Sequence, residues 1–226
     1  MTRPRRVRSA LTIALATAAI PLATLVQAQS RPVAALTGVY QAIAPDTVLA
    51  GGLKNSGGPN EITLRSGAAP KRMDLRDDPA LMCQSVGPFR MMARDQVKLE
   101  IVPGPGVLML LFEDLSHGQV RPVYLDRPHR ADAPPSRLGD AVGRWQGGTL
   151  VIDTRGFDER ALLNDSGVQH SGVLRLTERI RPVLGGRYLE YQVTADDPQT
   201  LTKPYTYTRY LEKLTGEIEE DICLFD

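Results

Sequence analysis

The residues best placed to do chemistry lie on two stretches whose side chains alternate. From Val173 to Val183, Leu174, Leu176 and Ile180 share one face, while Arg175, Thr177, Arg179 and Arg181 share the other. Glu178 breaks the pattern, because it sits on the apolar face. If that face looks inward, Glu178 is an interior carboxylate, which must find a cation or hydrogen-bond donors or keep its proton through a raised pKa. Either state suits a binding or catalytic cavity. A structural ion pair, with Arg209 as one candidate partner, and a bulge that turns Glu178 outward are the alternatives. Further on, Tyr205, Tyr207 and Arg209 alternate on one face. Two flat apolar rings with polar tips beside a fixed cation suit an aromatic or acidic ligand, or simply form a wall of aromatic rings.

Histidine supplies the remaining acid–base candidates, since its ordinary pKa lies near 6.5. His129 and His170 fall in two long connections, residues 127–140 and 156–172, where barrel proteins often place their function. Asp126, His129, Asp153 and His170 have the right types for a metal, but no compact spacing such as His-x-x-x-His gathers them, so no metal is expected. Asp165, Ser166, His170 and Ser171 offer hydrolase residue types without a Gly-x-Ser-x-Gly elbow. Neither a phosphate-cradling glycine loop nor a dinucleotide fingerprint occurs, and no cofactor is expected.

The elements that must position these groups are strands. Val97 to Val102 alternates apolar and charged residues, and Pro103-Gly104-Pro105-Gly106 turns it into the apolar run Val107 to Phe112, which makes a hairpin. Gln119 to Leu125 follows, and then Gly143 to Gln146 and Thr149 to Thr154, joined through Gly147-Gly148, a two-residue hairpin turn. Val173 to Val183, Arg187 to Thr194 and Tyr205 to Leu214 complete eight strands. Eight strands joined mainly by tight turns pair with their neighbours and close into a lipocalin-like barrel that has no free edge. A β-sandwich is the alternative. Residues 29–96 hold many glycine and proline loop signals and read as an irregular segment packing on a barrel that spans 97–226.

The start of the chain carries Arg3, Arg5, Arg6 and Arg8, an apolar run from Ala10 to Val26, and Val26-Gln27-Ala28. That order is a signal peptide over residues 1–28, so the working chain is expected in the periplasm or outside the cell, beginning near Gln29. The apolar run is interrupted by Pro21 and is short for a spanning helix, which makes an uncleaved anchor the lesser reading and leaves no membrane span in the mature chain. The full chain has 27 Lys and Arg against 26 Asp and Glu, and the four leader arginines leave the remainder at −3. Without a basic cluster, nucleic-acid binding is not expected. The two cysteines, Cys83 and Cys223, both lie in the exported part, where pairing is the rule; two buried thiols are the alternative. Such a bridge closes a loop of about 140 residues, worth roughly 4 to 5 kcal/mol in the chain-entropy model.

The stretch from Gly143 to Phe157, Gly-Arg-Trp-Gln-Gly-Gly-Thr-Leu-Val-Ile-Asp-Thr-Arg-Gly-Phe, resembles a signature of a large group of secreted, mostly uncharacterised bacterial proteins. The likeness runs on through His170-Ser171, Leu174 to Arg179, Asp197-Pro198 and Lys203 to Thr206, and back to Asp126-Arg127-Pro128-His129. The resemblance implies export, a barrel-like body, and His129, Asp153, His170, Glu178 and Arg179 as the polar positions that matter. Where the commonest form of the signature has two acids after the tryptophan, this chain has Gln146 and Gly148, so no role of those acids carries over.

The favoured reading is a periplasmic, cofactor-independent lyase or isomerase acting on a small, partly aromatic molecule in the barrel. His170 would move a proton with Glu178 as its acid partner, Asp153 and His129 would complete the acid–base set, and Trp145, Arg179, Tyr205, Tyr207 and Arg209 would hold the ligand. The alternative is a lipocalin-like protein that binds an apolar or aromatic molecule unchanged. A histidine within hydrogen-bond reach of Glu178 would favour catalysis, and an isolated Glu178 would favour binding. A structural protein without a ligand is the third reading.

Overall fold

The computed structural model describes residues 33–58, 61–67, 75–95, 97–113, 119–159 and 161–219. The expected leader, residues 1–28, and Cys223 lie outside them. Nine strands form one closed barrel: β1 (Gly38–Ala42), β2 (Lys98–Gly104), β3 (Val107–Glu113), β4 (Gln119–Leu125), β5 (Asp140–Gln146), β6 (Thr149–Arg155), β7 (Arg175–Val183), β8 (Tyr188–Asp196) and β9 (Tyr205–Leu214). Each pairs with its neighbour in sequence, and β1 pairs antiparallel with both β2 and β9 to shut the ring. Closure excludes the sandwich.

All eight expected strands are present, and the ninth corrects the count. β1 comes from the segment read as irregular, which therefore contributes a wall as well as cover. It escaped notice because it is five residues long and its consecutive Val39 and Tyr40 are both buried, which erases the period of two. The turns follow the glycines: Gly147 (φ 60°) lets β5 fold back on β6 directly, a left-handed conformation that costs glycine nothing. One pair departs from the antiparallel order. β4 and β5 run parallel, in register only at Tyr124 with Val142 and Leu125 with Gly143, because a 14-residue crossover, residues 126–139, carries the chain from one end of the barrel to the other.

Inward-facing Leu99, Leu110, Phe112, Ile152, Leu176 and Leu189 make the core. One end, where β7 and β9 begin, is covered by residues 75–95. Phe89 and Met91 are buried there, the Tyr207 ring meets Phe89 edge-on at 5.1 Å, and the Tyr207 hydroxyl donates to the Phe89 carbonyl. Arg90 anchors this cover by a two-pronged bond to Asp78 (2.7 Å twice) and a third contact to Asp165 (2.6 Å). No helix among the described residues is long and apolar enough to cross a membrane.

Candidate functional site

β4 controls the polar interior, and its sequence points the wrong way. Val120 and Tyr124 face out, while Gln119 and Arg121 face in with Val123. Arg121 is 1% exposed, so its guanidinium must find an anion or be expelled. It finds Glu178, which is likewise fully buried: its two Nη atoms donate to Oε1 at 2.8 Å and Oε2 at 2.6 Å. One Nη also donates to Thr154 Oγ1 at 2.7 Å, and the Tyr191 hydroxyl donates to Glu178 Oε1 at 2.6 Å. Burial, then the neighbouring carboxylate, holds the Tyr191 hydroxyl well above its ordinary value, so it stays a donor. Both carboxylate oxygens of Glu178 are thus occupied. The partner is Arg121 and not Arg209, and neither His129 nor His170 contacts it.

His170 is placed differently. It is 5% exposed, beneath the cover, with the Phe157 ring edge-on at 5.9 Å. Its Nδ1 lies 2.9 Å from the Ser171 carbonyl, which can only accept, so Nδ1 carries the hydrogen and Nε2 is bare in the neutral ring. Burial pushes its pKa below the ordinary 6.5, against the smaller pull of the Ser171 carbonyl and of Asp197, Glu159 and Asp158. Nε2 is buried with no hydrogen-bond partner among the described residues. The expected His170–Glu178 proton-transfer pair is therefore not formed. Each group occupies its own cluster, because β7 begins after His170 and sends Glu178 to the middle of the barrel while the connection stays at its end.

His129 and Asp153 do come together, but on the outer side of the wall. Asp140 is the hub: it accepts from Arg127 at 2.6 Å, from the Arg130 amide at 3.0 Å, and lies 3.1 Å from His129 Nδ1. His129 Nε2 is 3.5 Å from Asp153, which also pairs with Arg155 at 2.8 Å. Burial alone would raise Asp140, yet these donors outweigh it and bring its carboxyl down to about 2. This network ties the crossover to the barrel and is not directed at the interior.

Of the expected ligand-holding residues, Arg179 is exposed on the outer face of β7 and takes no part in the interior. Tyr207 is buried and spent on the cover. Tyr205 is half-buried, its hydroxyl accepting from the Gly58 amide at 3.0 Å. Arg209 has inward parity; its guanidinium lies 5.1 Å above the Tyr207 ring and donates to the Gly57 carbonyl at 2.9 Å, and it makes no ion pair among the described residues. Trp145, half-buried, packs on the core opposite Leu150.

A common feature links the inward polar residues. Tyr40 Oη, Gln119 Nε2, Arg121 Nε, Trp145 Nε1 and Arg209 Nε are all buried with no hydrogen-bond partner among the described residues, and each carries at least one hydrogen. Arg121, Gln119, Tyr40, Thr154 and Tyr191 were not among the expected site residues. The one available signal was the polar parity of Gln119 and Arg121 in β4.

No protein-family model matches the chain, and no curated protein matches it. Among solved structures, it is similar to a point mutant of the fluorescent protein UnaG (12% identity, TM-score 0.42) over 81% of this chain and 99% of that one. It is also similar to the REP1-NXSQ fatty acid transporter (11%, 0.41, covering 81% and 99%). A third is the zebrafish ileal bile-acid-binding protein complexed with cholic acid (11%, 0.39, covering 80% and 99%).

Proposed function

We propose that the barrel binds a small, largely apolar molecule bearing oxygen acceptors and releases it unchanged. The observation that carries this reading is the surplus of donors on the inner wall: five buried donor atoms without acceptors among the described residues, against one carboxylate whose two oxygens are already engaged. Each unsatisfied buried donor costs about 1 to 3 kcal/mol, and a ligand offering carbonyl or carboxylate oxygens would recover part of that cost. The separation of Glu178 from both histidines favours binding over the lyase or isomerase reading, since the proton-transfer pair that such chemistry needs is not assembled.

Trp145, the one tryptophan of the chain, is an internal reporter. Titration of the mature protein with 2-naphthoate and with naphthalene, followed by Trp145 fluorescence, tests the reading. Naphthoate binding at least tenfold tighter, with the ligand recovered intact, supports it; equal affinity for the two, binding of neither, or a chemically altered product overturns it. Export accompanies the proposal, with Gln29 as the expected mature N-terminus in a periplasmic fraction. So does a Cys83–Cys223 bridge, which intact mass with and without reductant would reveal as a 2 Da difference.

A further inference from the structure

The outer wall of the barrel is not uniform. On β7 its side chains are those a solvated sheet face requires, Arg175, Thr177, Arg179 and Arg181, all exposed. On β2, β3 and β4 they are apolar. Met109 stands in register between Val102 and Pro122, Leu111 beside Val120, and Val107 beside Tyr124, all with outward parity. Val120 is 54% exposed, Tyr124 38% and Val102 37%, and the rest of the group is half-buried. Single exposed apolar residues are ordinary, but neighbours in adjacent rows of three strands form one continuous patch, and such patches mark interaction surfaces. The Tyr124 ring is already held by the Arg127 guanidinium 4.2 Å from its centre, so little side-chain freedom remains to be lost on contact.

Two charges bound the patch at diagonally opposite corners. Glu100 lies on β2 in register with Leu111, and Arg144 lies on β5 two residues beyond Val142, which is in register with Tyr124. Neither makes a hydrogen bond or an ion pair among the described residues. Lys98, two residues before Glu100, is committed to Glu113 at 2.5 Å. Three strand spacings of about 4.8 Å and six residues of about 3.3 Å set Glu100 and Arg144 roughly 25 Å apart, beyond reach of each other within one molecule. An acid at one corner and a guanidinium at the other are complementary to the same pattern turned round. A two-fold axis between two copies, crossing the middle of the line from Glu100 to Arg144, sets each Glu100 against the partner's Arg144. The same rotation sets each Met109 against the partner's Tyr124, a thioether on an aromatic ring. A two-fold contact needs this self-complementarity. Because the wall is convex, the contact is small, at the low end of interface sizes, and the long corner side chains span the gap that curvature opens.

We propose that this face is a self-association surface, through which two copies of the chain form a weak, reversible two-fold dimer with reciprocal Glu100–Arg144 ion pairs flanking an apolar centre. Association on the outer wall is independent of what the inner wall binds. The experiment is sedimentation equilibrium of the mature protein from micromolar to millimolar concentration, where a monomer–dimer equilibrium is expected. Val120→Lys, at the most exposed position of the patch, should raise the dimer Kd at least tenfold. Glu100→Arg and Arg144→Glu should each do the same, because the two-fold sets like charges opposite each other twice. The double variant Glu100→Arg with Arg144→Glu should return to within about threefold of wild type, the signature of a reciprocal contact. The wild-type concentration series needs no variant, and circular dichroism with a melting curve certifies that each variant is folded. A wild type that stays monomeric up to millimolar concentration, a dimer untouched by Val120→Lys or by the single reversals, or a double variant as weak as the singles overturns the proposal. So does a monomer that floats with phosphatidylcholine vesicles and is released by Val120→Lys, which would assign the face to lipid.

Discussion

Glu178 and His170 are both buried, both polar and only eight residues apart, yet they stand at opposite limits of hydrogen bonding. In mid-barrel the carboxylate meets two guanidinium nitrogens and a phenol, and neither oxygen is left over. At the covered end the imidazole spends one nitrogen on a carbonyl and leaves the other bare. The Glu178 carboxylate has no capacity left for a guest, so its contribution goes to the fold. The bare His170 nitrogen is a standing cost to it. Perturbation should therefore separate the two: a large loss of stability at Glu178, a small change in pH dependence at His170.

The largest effect is expected at the centre. Glu178→Gln strands the Arg121 charge in the core and should lower the unfolding free energy by about 3 to 5 kcal/mol in urea titrations. The double variant Glu178→Leu with Arg121→Met should recover most of it, because no charge is left unpaired. A loss under about 1 kcal/mol in the single variant would break the comparison. Next comes Asp140, whose folded pKa of about 2 lies below the ordinary carboxylate value. A depressed carboxyl contributes stability above the unfolded pKa near 4, lost as pH falls towards 2. Asp140→Asn should cost about 1 to 2 kcal/mol at pH 7 and unfold with a shallower acid limb, since its arginine partners are partly solvated.

His170 follows the same sign in a higher pH window. Its folded pKa is depressed, so below about 6.5 the unfolded chain takes up a proton that the folded chain refuses, and stability falls as pH drops through that window. His170→Phe should flatten the profile between pH 5 and 7 by under about 1 kcal/mol, read by urea unfolding at both values, once the carboxylates Asp158, Glu159 and Asp197 are accounted for in wild type. Smallest of all is Arg179→Ala, exposed on the outer wall, with a change within about 0.5 kcal/mol and no effect on naphthoate binding.

Glu178 was legible because one charge broke a strict alternation, and a strand's period of two converts such a break directly into an inward side chain. Val97 to Val102 was legible for the same reason, whereas Val107 to Phe112 stood out as a continuous apolar run and the pair around Gly147-Gly148 by its turn. Arg121 was not: Val120, Pro122 and Tyr124 make the outer face of β4 the more apolar one, and only the closed ring, which has Glu178 to neutralise, reverses the expectation. The burial of His170 was hidden for another reason. It sits in a connection without periodicity, and its solvent is removed by Val86 and Phe89, about eighty residues earlier in the chain.

The parallel seam gives the ring an uneven grip. Nine residue pairs join β7 to β8, but two join β4 to β5. A hoop under load parts at its shortest weld, so the Asp126 amide, which donates to the Gly143 carbonyl at that seam's margin, should exchange with deuterium ahead of those in β7 and β8. Parting there would unroll the barrel into a curved ribbon with β4 and β5 as free edges. Proteolysis within residues 126–139, which span the seam, would then govern the shelf life of the protein by exposing strands able to recruit a neighbour's.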